Sequence, residues 1–351
     1  MRIGILTGGG DCPGLNAVIR AVVRKGIFHH NDEFIGFLEG WRGVMEDHTT
    51  KLTLDSIAGI LPRGGTILRT SRTNPAKKEG GMQLCLETLK RHNIEALVVL
   101  GGDDTQSVTY KLQEMGFKVV GVPKTIDNDL SGTDFCFGFD TAVNISTEAI
   151  DRVHTTAEAH NRVIVVEVMG RDSGWIAIYS GIAGGADVIL IPERPFDLNE
   201  VAETIAQRHA RGRYFSVVVV AEGARLAAGI DEQIVAEKGK KDEFGHVRLG
   251  GIGTILAQEL EKRTGFEARA VVLGHIQRGG SPTAFDRMLA TRYGIGAIDA
   301  VHRHDIGEMV ALRGTDIVTI QLQEALSRTR TVGQDLIDVA AGLREPANKA
   351  V

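Results

Sequence analysis

Short aliphatic runs, apolar at nearly every position, alternate along the chain with longer stretches whose apolar residues recur every three or four positions. Arg2–Thr7 is the first run and ends in glycines; Leu15, Val18, Ile19, Val22 and Val23 then follow at helical spacing. The alternation returns at Ala96–Leu100, followed by Gly101-Gly102 and a polar helix ending near Gly116. Lys118–Val122, Val163–Val168, Val188–Ile191, Phe215–Val220 and Ala268–Leu273 are further predicted strands. Their Val/Ile-rich composition is that of parallel strands covered on both faces. Helices are predicted over Thr141–Ala159, Leu198–Arg211, Thr254–Arg263 and Ala284–Val301. Strands and helices in strict alternation predict an α/β fold with largely parallel sheets. The number of strand candidates along the chain favours more than one sheet, so two doubly wound domains are expected. Residues 225–247 are charged and aperiodic and read as a surface excursion, and Arg344–Val351 as a polar tail.

Composition narrows the class. The 351 residues carry 40 Lys and Arg against 45 Asp and Glu, a formal charge of −5, which argues against a protein that coats nucleic acid. Glycine is in excess, 43 residues, where about 7% is usual. With no G-x-y period, that excess belongs in turns and where backbone approaches a ligand. Three cysteines, Cys12, Cys85 and Cys136, make no disulfide framework and have no metal-ligand spacing. No apolar run reaches the roughly 18 residues of a membrane span. No signal sequence precedes the first strand, and a cytoplasmic protein with no membrane or nucleic-acid partner is expected.

Ligands of α/β sheets bind outside the carboxyl ends of the strands, and four predicted ends carry chemistry. The first is Thr7-Gly8-Gly9-Gly10-Asp11-Cys12-Pro13-Gly14 ahead of a helix, where glycine backbone and a helix N-terminus suit an anion. It matches neither the P-loop nor G-x-G-x-x-G, and a plain βα turn explains it equally well. The second is Gly101-Gly102-Asp103-Asp104-Thr105, whose carboxylates are either helix caps or holders of Mg²⁺. The third, Pro123-Lys124-Thr125-Ile126-Asp127-Asn128-Asp129, is either an Asx-rich turn or the cation, hydroxyl and carboxylates that phosphoryl transfer needs together. The fourth is Val168-Met169-Gly170-Arg171. Arg162, Glu222, Arg269, His275, Gln277 and Arg278 accompany it, and the arginines with the histidine suit a sugar phosphate.

Taken together these segments resemble the phosphofructokinase family over nearly the whole chain. The shared motifs are Gly-Gly-Asp at 9–11, Arg-Gly-Gly-Thr at 63–66, Gly-Gly-Asp at 101–103 and Thr-Ile-Asp-Asn-Asp at 125–129. Met-Gly-Arg at 169–171 and Gly-His-Ile-Gln-Arg-Gly-Gly-Ser-Pro at 274–282 complete them, all in the family's order. The resemblance implies phosphoryl transfer to the 1-hydroxyl of fructose 6-phosphate, with Asp127 as general base. It implies Mg²⁺ on Asp103 and Asp129. Thr125, Arg171 and Arg72 would steady the moving phosphoryl group, and Gly10, Gly102, Asp104 and Lys124 would line the donor. Glu222, Met169 and Gly170 would hold the sugar, and Arg162, Arg269, His275 and Arg278 its 6-phosphate. In the family, arginines matching Arg162 and Arg269 come from a neighbouring subunit, so a homodimer or homotetramer is implied. The implied domains are 1–138 with about 277–327 for the donor and Mg²⁺, and 139–276 with about 328–351 for the sugar phosphate, the active site lying in the cleft.

Two positions bear on the donor. ATP-using members usually place glycine where Asp104 and Lys124 stand, whereas pyrophosphate-using members, among them the mixed-substrate bacterial group, resemble this chain. A carboxylate about 4 Å from an α-phosphate costs on the order of 4 kcal/mol at an effective dielectric of 20. That is roughly a thousandfold against ATP. Pyrophosphate is therefore the expected donor, in a reversible reaction serving glycolysis or gluconeogenesis. An ATP-dependent enzyme of the same fold is the alternative, and a non-catalytic sugar-phosphate sensor a distant one.

Overall fold

The computed structural model describes residues 1–227 and 251–343; the charged stretch from 228 and the tail from 344 lie outside the described residues. Eleven strands occur among them: β1 (Arg2–Thr7), β2 (Glu33–Phe37), β3 (Thr49–Leu52), β4 (Ala96–Gly101), β5 (Val119–Pro123), β6 (Val163–Val168), β7 (Val188–Leu190), β8 (Ser216–Ala221), β9 (Ala268–Val272), β10 (Glu308–Arg313) and β11 (Asp316–Gln321). The helices that matter for the site are α1 (Leu15–Lys25), α2 (Trp41–Glu46), α3 (Gly81–Arg91), α4 (Asp103–Glu114), α5 (Phe139–His160), α6 (Trp175–Ala183), α7 (Leu198–Ala210), α8 (Ile252–Thr264) and α9 (Ala284–Arg303). No helix among the described residues is long and apolar enough to cross a membrane.

These residues form two compact units. The first comprises Met1–Thr141 with Arg278–Thr329; the second comprises 142–227, 251–277 and 330–343. The first is built on a seven-stranded sheet in the order β11-β10-β5-β4-β1-β2-β3. Its five inner strands are parallel, and β3 and β11 close the edges antiparallel. β4 is buried at all six positions, which its unbroken Ala-Leu-Val-Val-Leu-Gly sequence demands. Leu6, Phe37, Trp41, Leu97, Val99, Val108 and Leu112 pack into one core beneath it. α1 buries Leu15, Val18, Ile19 and Val22, the face its spacing predicts.

The second unit holds a four-stranded, all-parallel sheet in the order β7-β8-β6-β9. β6 and β8 are fully buried, and their valines pack against Val201 and Ile205 of α7 and Leu256 and Leu260 of α8. The predicted strands and helices thus form within a few residues of their expected bounds. The β10–β11 hairpin is not among the predicted strands, although its two-residue Gly314-Thr315 turn between apolar runs is a local signal; its place beside β5 is set by a distant pairing.

Candidate active site

In the first unit β1 pairs with β2 on one side and β4 on the other, so the chain reverses its direction of winding there. A crevice outside the carboxyl ends follows from that topology. Three neighbouring ends carry the predicted chemistry: the glycine turn after β1, Gly102–Asp104 after β4, and Lys124–Asp129 after β5. Gly8 N donates to Leu100 O at 2.9 Å and Lys124 N to Gly101 O at 3.1 Å, which ties the three ends together. Beneath them the Gln106 amide, fully buried, donates to the carbonyls of Val99, Gly101 and Val122 at 3.1 to 3.2 Å.

The glycine turn is held from above as well. Thr70 Oγ1 donates to Gly9 O at 2.6 Å and Gly9 N to Ser71 O at 3.1 Å, which brings exposed Arg72 alongside. The preceding Arg63–Thr66 segment is pinned by Asn16, whose amide donates to Arg63 O and Gly64 O and accepts from Ile67 N. Lys124 is 4% exposed, and its ammonium donates to Gly10 O at 2.5 Å. Burial, opposed by neighbours including Cys12, Asp127 and Asp11, holds that ammonium below the ordinary lysine pKa. The Arg278 guanidinium donates to Asp11 O at 3.3 Å and leans on Gly10, where a Cβ would come within 2.7 Å of it. Arg278 therefore belongs to this unit and stands at the glycine turn.

Alternation explains the Thr-Ile-Asp-Asn-Asp turn. Ile126 and Asn128 are buried, and Asn128, at φ 52°, accepts from Cys136 N at 2.8 Å. Asparagine tolerates that left-handed geometry. Asp127 and Asp129 are left on the half-buried side, with Asp127 N accepted by Thr125 Oγ1 at 3.0 Å. Burial, together with the charges of Asp127 and Asp103, pushes the Asp129 carboxyl up to about 7. Among the described residues no group of three or more His, Cys, Asp or Glu side chains could hold a metal by itself. The donor set nonetheless fits Mg²⁺, which takes one or two carboxylates and completes its shell with water and phosphate oxygens. A divalent cation would relieve the mutual repulsion of Asp103, Asp127 and Asp129.

The second unit repeats the logic at the carboxyl ends of β6, β8 and β9. Met169–Arg171 follow β6, Glu222 follows β8, and Gly274-His275 open the turn after β9. Gly170 takes φ 134°, and a Cβ there would come within 2.6 Å of Ser173 O. Glu222 N donates to Val168 O and Gly223 N to Gly170 O, which fastens the first two ends to each other. Arg162 and Arg269 are placed elsewhere: they stand at the amino ends of β6 and β9, where both pair with Glu267, at 2.8 and 2.5 Å. The six residues of β6 put them about 20 Å from the Met169 turn. Sequence reading gave no role to Gln106 or Gln277, since a buried glutamine whose partners come from several segments leaves no local pattern.

A phosphofructokinase family profile matches residues 2–301. The pyrophosphate–fructose 6-phosphate 1-phosphotransferase of Amycolatopsis methanolica is 59% identical over 332 residues, covering 95% of this chain and 96% of that protein. The ATP-dependent 6-phosphofructokinase 3 of Streptomyces coelicolor is 51% identical over 332 residues, with coverage of 95% and 96%. The crystal structure of the pyrophosphate-dependent phosphofructokinase of Marinobacter aquaeolei has the same fold, with a TM-score of 0.82 at 22% identity over 98% of this chain and 91% of that one.

Proposed function

Because the chain belongs to the phosphofructokinase family, we propose that it transfers a phosphoryl group from pyrophosphate to the 1-hydroxyl of fructose 6-phosphate, reversibly and with Mg²⁺. Relatives with 57–59% identity over nearly the whole chain carry the pyrophosphate name, and the ATP-dependent ones follow at 49–52%. The observation that carries the donor reading is the Lys124 ammonium, buried at the foot of the glycine turn with Asp104 in the adjacent first turn of α4. A desolvated ammonium gains most from a compact dianion, whereas a carboxylate beside it opposes the α-phosphate of a nucleotide.

In this reading Asp127 accepts the proton of the attacking hydroxyl. Its half-buried setting keeps water from competing, and Thr125 Oγ1 fixes its backbone. Asp103 and Asp129 would hold Mg²⁺, which supplies charge neutralisation on the transferred group. Thr125, Arg171 and Arg72 donate to the phosphoryl oxygens, while Gly10, Gly102, Asp104 and Lys124 seat the leaving phosphate. Met169, Gly170 and Glu222 orient the sugar, and His275 with Arg278 takes the 6-phosphate. Residues 1–138 with 277–327 form the donor domain, and 139–276 with 328–351 the sugar-phosphate domain.

Arg162 and Arg269 complete the phosphate site only from a second copy of the chain, since in their own chain they stand at the far ends of the strands that carry Met169 and His275. The enzyme is accordingly a homo-oligomer, a dimer or a tetramer, working in the cytoplasm. The test of the donor is turnover of fructose 6-phosphate with Mg²⁺ and either pyrophosphate or ATP. A pyrophosphate rate hundreds of times the ATP rate is expected; a higher ATP rate overturns the donor and keeps the family.

A further inference from the structure

Gln277 is fully buried, and its amide joins the two turns that carry the sugar-phosphate residues. Its Oε1 accepts from Met169 N at 3.2 Å, and its Nε2 donates to Gly274 O at 3.1 Å. The amide orientation follows from chemistry, because a backbone N–H only donates and a carbonyl only accepts. Ser146 Oγ on α5 lies 3.1 Å from the same Oε1 and 2.8 Å from Ala142 O, so its single proton is shared between them. Ser146 is itself fully buried.

The place of this bridge in the sheet gives it meaning. β6 and β9 run parallel, and their register ends at Glu167 and Val272. One more ladder bond, from Leu273 N to Glu167 O at 3.0 Å, follows. Beyond it the two chains part into the Met169–Arg171 and Gly274–Arg278 turns. Gln277 reaches back across that gap and supplies the bonds that the ladder no longer makes. Gly274 has φ 49°, a left-handed bend that turns the chain back toward the strand end, and His275 is the next residue.

We propose that Gln277 is a positioning residue for fructose 6-phosphate: it sets the distance between the turn that orients the sugar and the turn that holds the 6-phosphate. The proposal rests on the sugar-phosphate reading of Met169, Gly170 and His275 given above. Glutamine is the side chain that fits. Leucine fills similar space but strands a buried N–H and a buried carbonyl, each with its desolvation penalty. Glutamate keeps the acceptor for Met169 N and, while ionised, faces Gly274 O with a second acceptor. Protonated, it recovers the donor and both bonds.

Three variants of the full-length enzyme test this: Gln277→Leu, Gln277→Glu and, as a reference for the phosphate contact, His275→Ala. Gln277→Leu is expected to raise the KM for fructose 6-phosphate on the order of tenfold, with kcat and the KM for pyrophosphate nearly unchanged. For Gln277→Glu the ratio of its fructose 6-phosphate KM to that of the parent, taken at each pH so that His275, Glu167 and the substrate phosphate cancel, is expected to fall as the pH is lowered. An unchanged KM in Gln277→Leu while His275→Ala raises it overturns the inference and leaves the site reading standing. Parallel loss of kcat and both affinities, with no recovery of Gln277→Glu in acid, reduces Gln277 to a structural role and also overturns it. If His275→Ala and Gln277→Leu both leave the KM unchanged, the sugar-phosphate reading falls and the inference with it.

Discussion

Arg162 and Glu267 form an ion pair at 2.8 Å across the amino ends of β6 and β9, and the same carboxylate holds Arg269 at 2.5 Å. The Arg162 hydrogen bond, with the two arginine charges, holds the Glu267 carboxyl below its usual pKa. Glutamate thus stores two guanidinium groups at the end of the sheet opposite the Met169 and His275 turns.

That separation predicts complementation. Asp127→Ser and Arg162→Ala are each expected to be nearly inactive alone. Mixed and allowed to exchange subunits, they should regain activity, because in the proposed oligomer an intact Asp127 site on one chain would receive Arg162 from the other. For a randomly reassorted dimer about a quarter of parental sites would be complete. No recovery despite demonstrated exchange would mean that the arginines serve their own chain or none.

Asp127→Ser should lower kcat by about 10²–10⁴-fold, the usual worth of a positioned general base. Calorimetric titration should find fructose 6-phosphate binding little altered. A variant that turns over normally would remove Asp127 from the mechanism.

Asp104 and Lys124 should act on the donor alone. Asp104→Gly is expected to raise kcat/KM with ATP and lower it with pyrophosphate. Lys124→Met, which keeps the volume of a residue 4% exposed, should weaken pyrophosphate at constant fructose 6-phosphate KM. Steady-state kinetics with both donors decide it, and a variant pair with unchanged donor preference would leave selection to other residues.

Asp286 offers a prediction about stability. It lies in the first turn of α9 and accepts from Thr141 N at 2.8 Å and Thr141 Oγ1 at 2.6 Å. Burial is the largest influence and pushes its carboxyl from 3.8 up to about 6, the Thr141 bonds opposing it. Between those values the folded chain binds more protons than the unfolded one, so this group's contribution falls as pH rises through the window. Two pKa units correspond to about 3 kcal/mol. The melting temperature of Asp286→Asn relative to the parent should therefore rise between pH 4 and pH 6 and level off above. A difference that does not vary with pH would show that Asp286 titrates normally in the fold.

Much of this was legible in the order of residues. Buried parallel strands must be apolar on both faces, so Ala96–Gly101 and Val163–Val168 announced themselves, and amphipathic spacing marked α1 and α9. The glycine and carboxylate clusters after β1, β4 and β5 pointed to phosphate chemistry, and their order along the chain to the family.

Only tertiary structure decided which strand ends are neighbours. Strand order depends on how each crossover buries apolar faces far apart in sequence, and no local pattern encodes it. That order brings Lys124 to Gly10, lays Arg278 on the glycine turn, and makes neighbours of β6 and β9, so that Arg162 and Arg269 share Glu267. It likewise makes hubs of Gln106 and Gln277, whose partners come from segments up to 131 residues away. Hydrophobic periodicity is short-ranged and survives in the sequence, whereas a buried amide finds its partners only once the chain has closed around it.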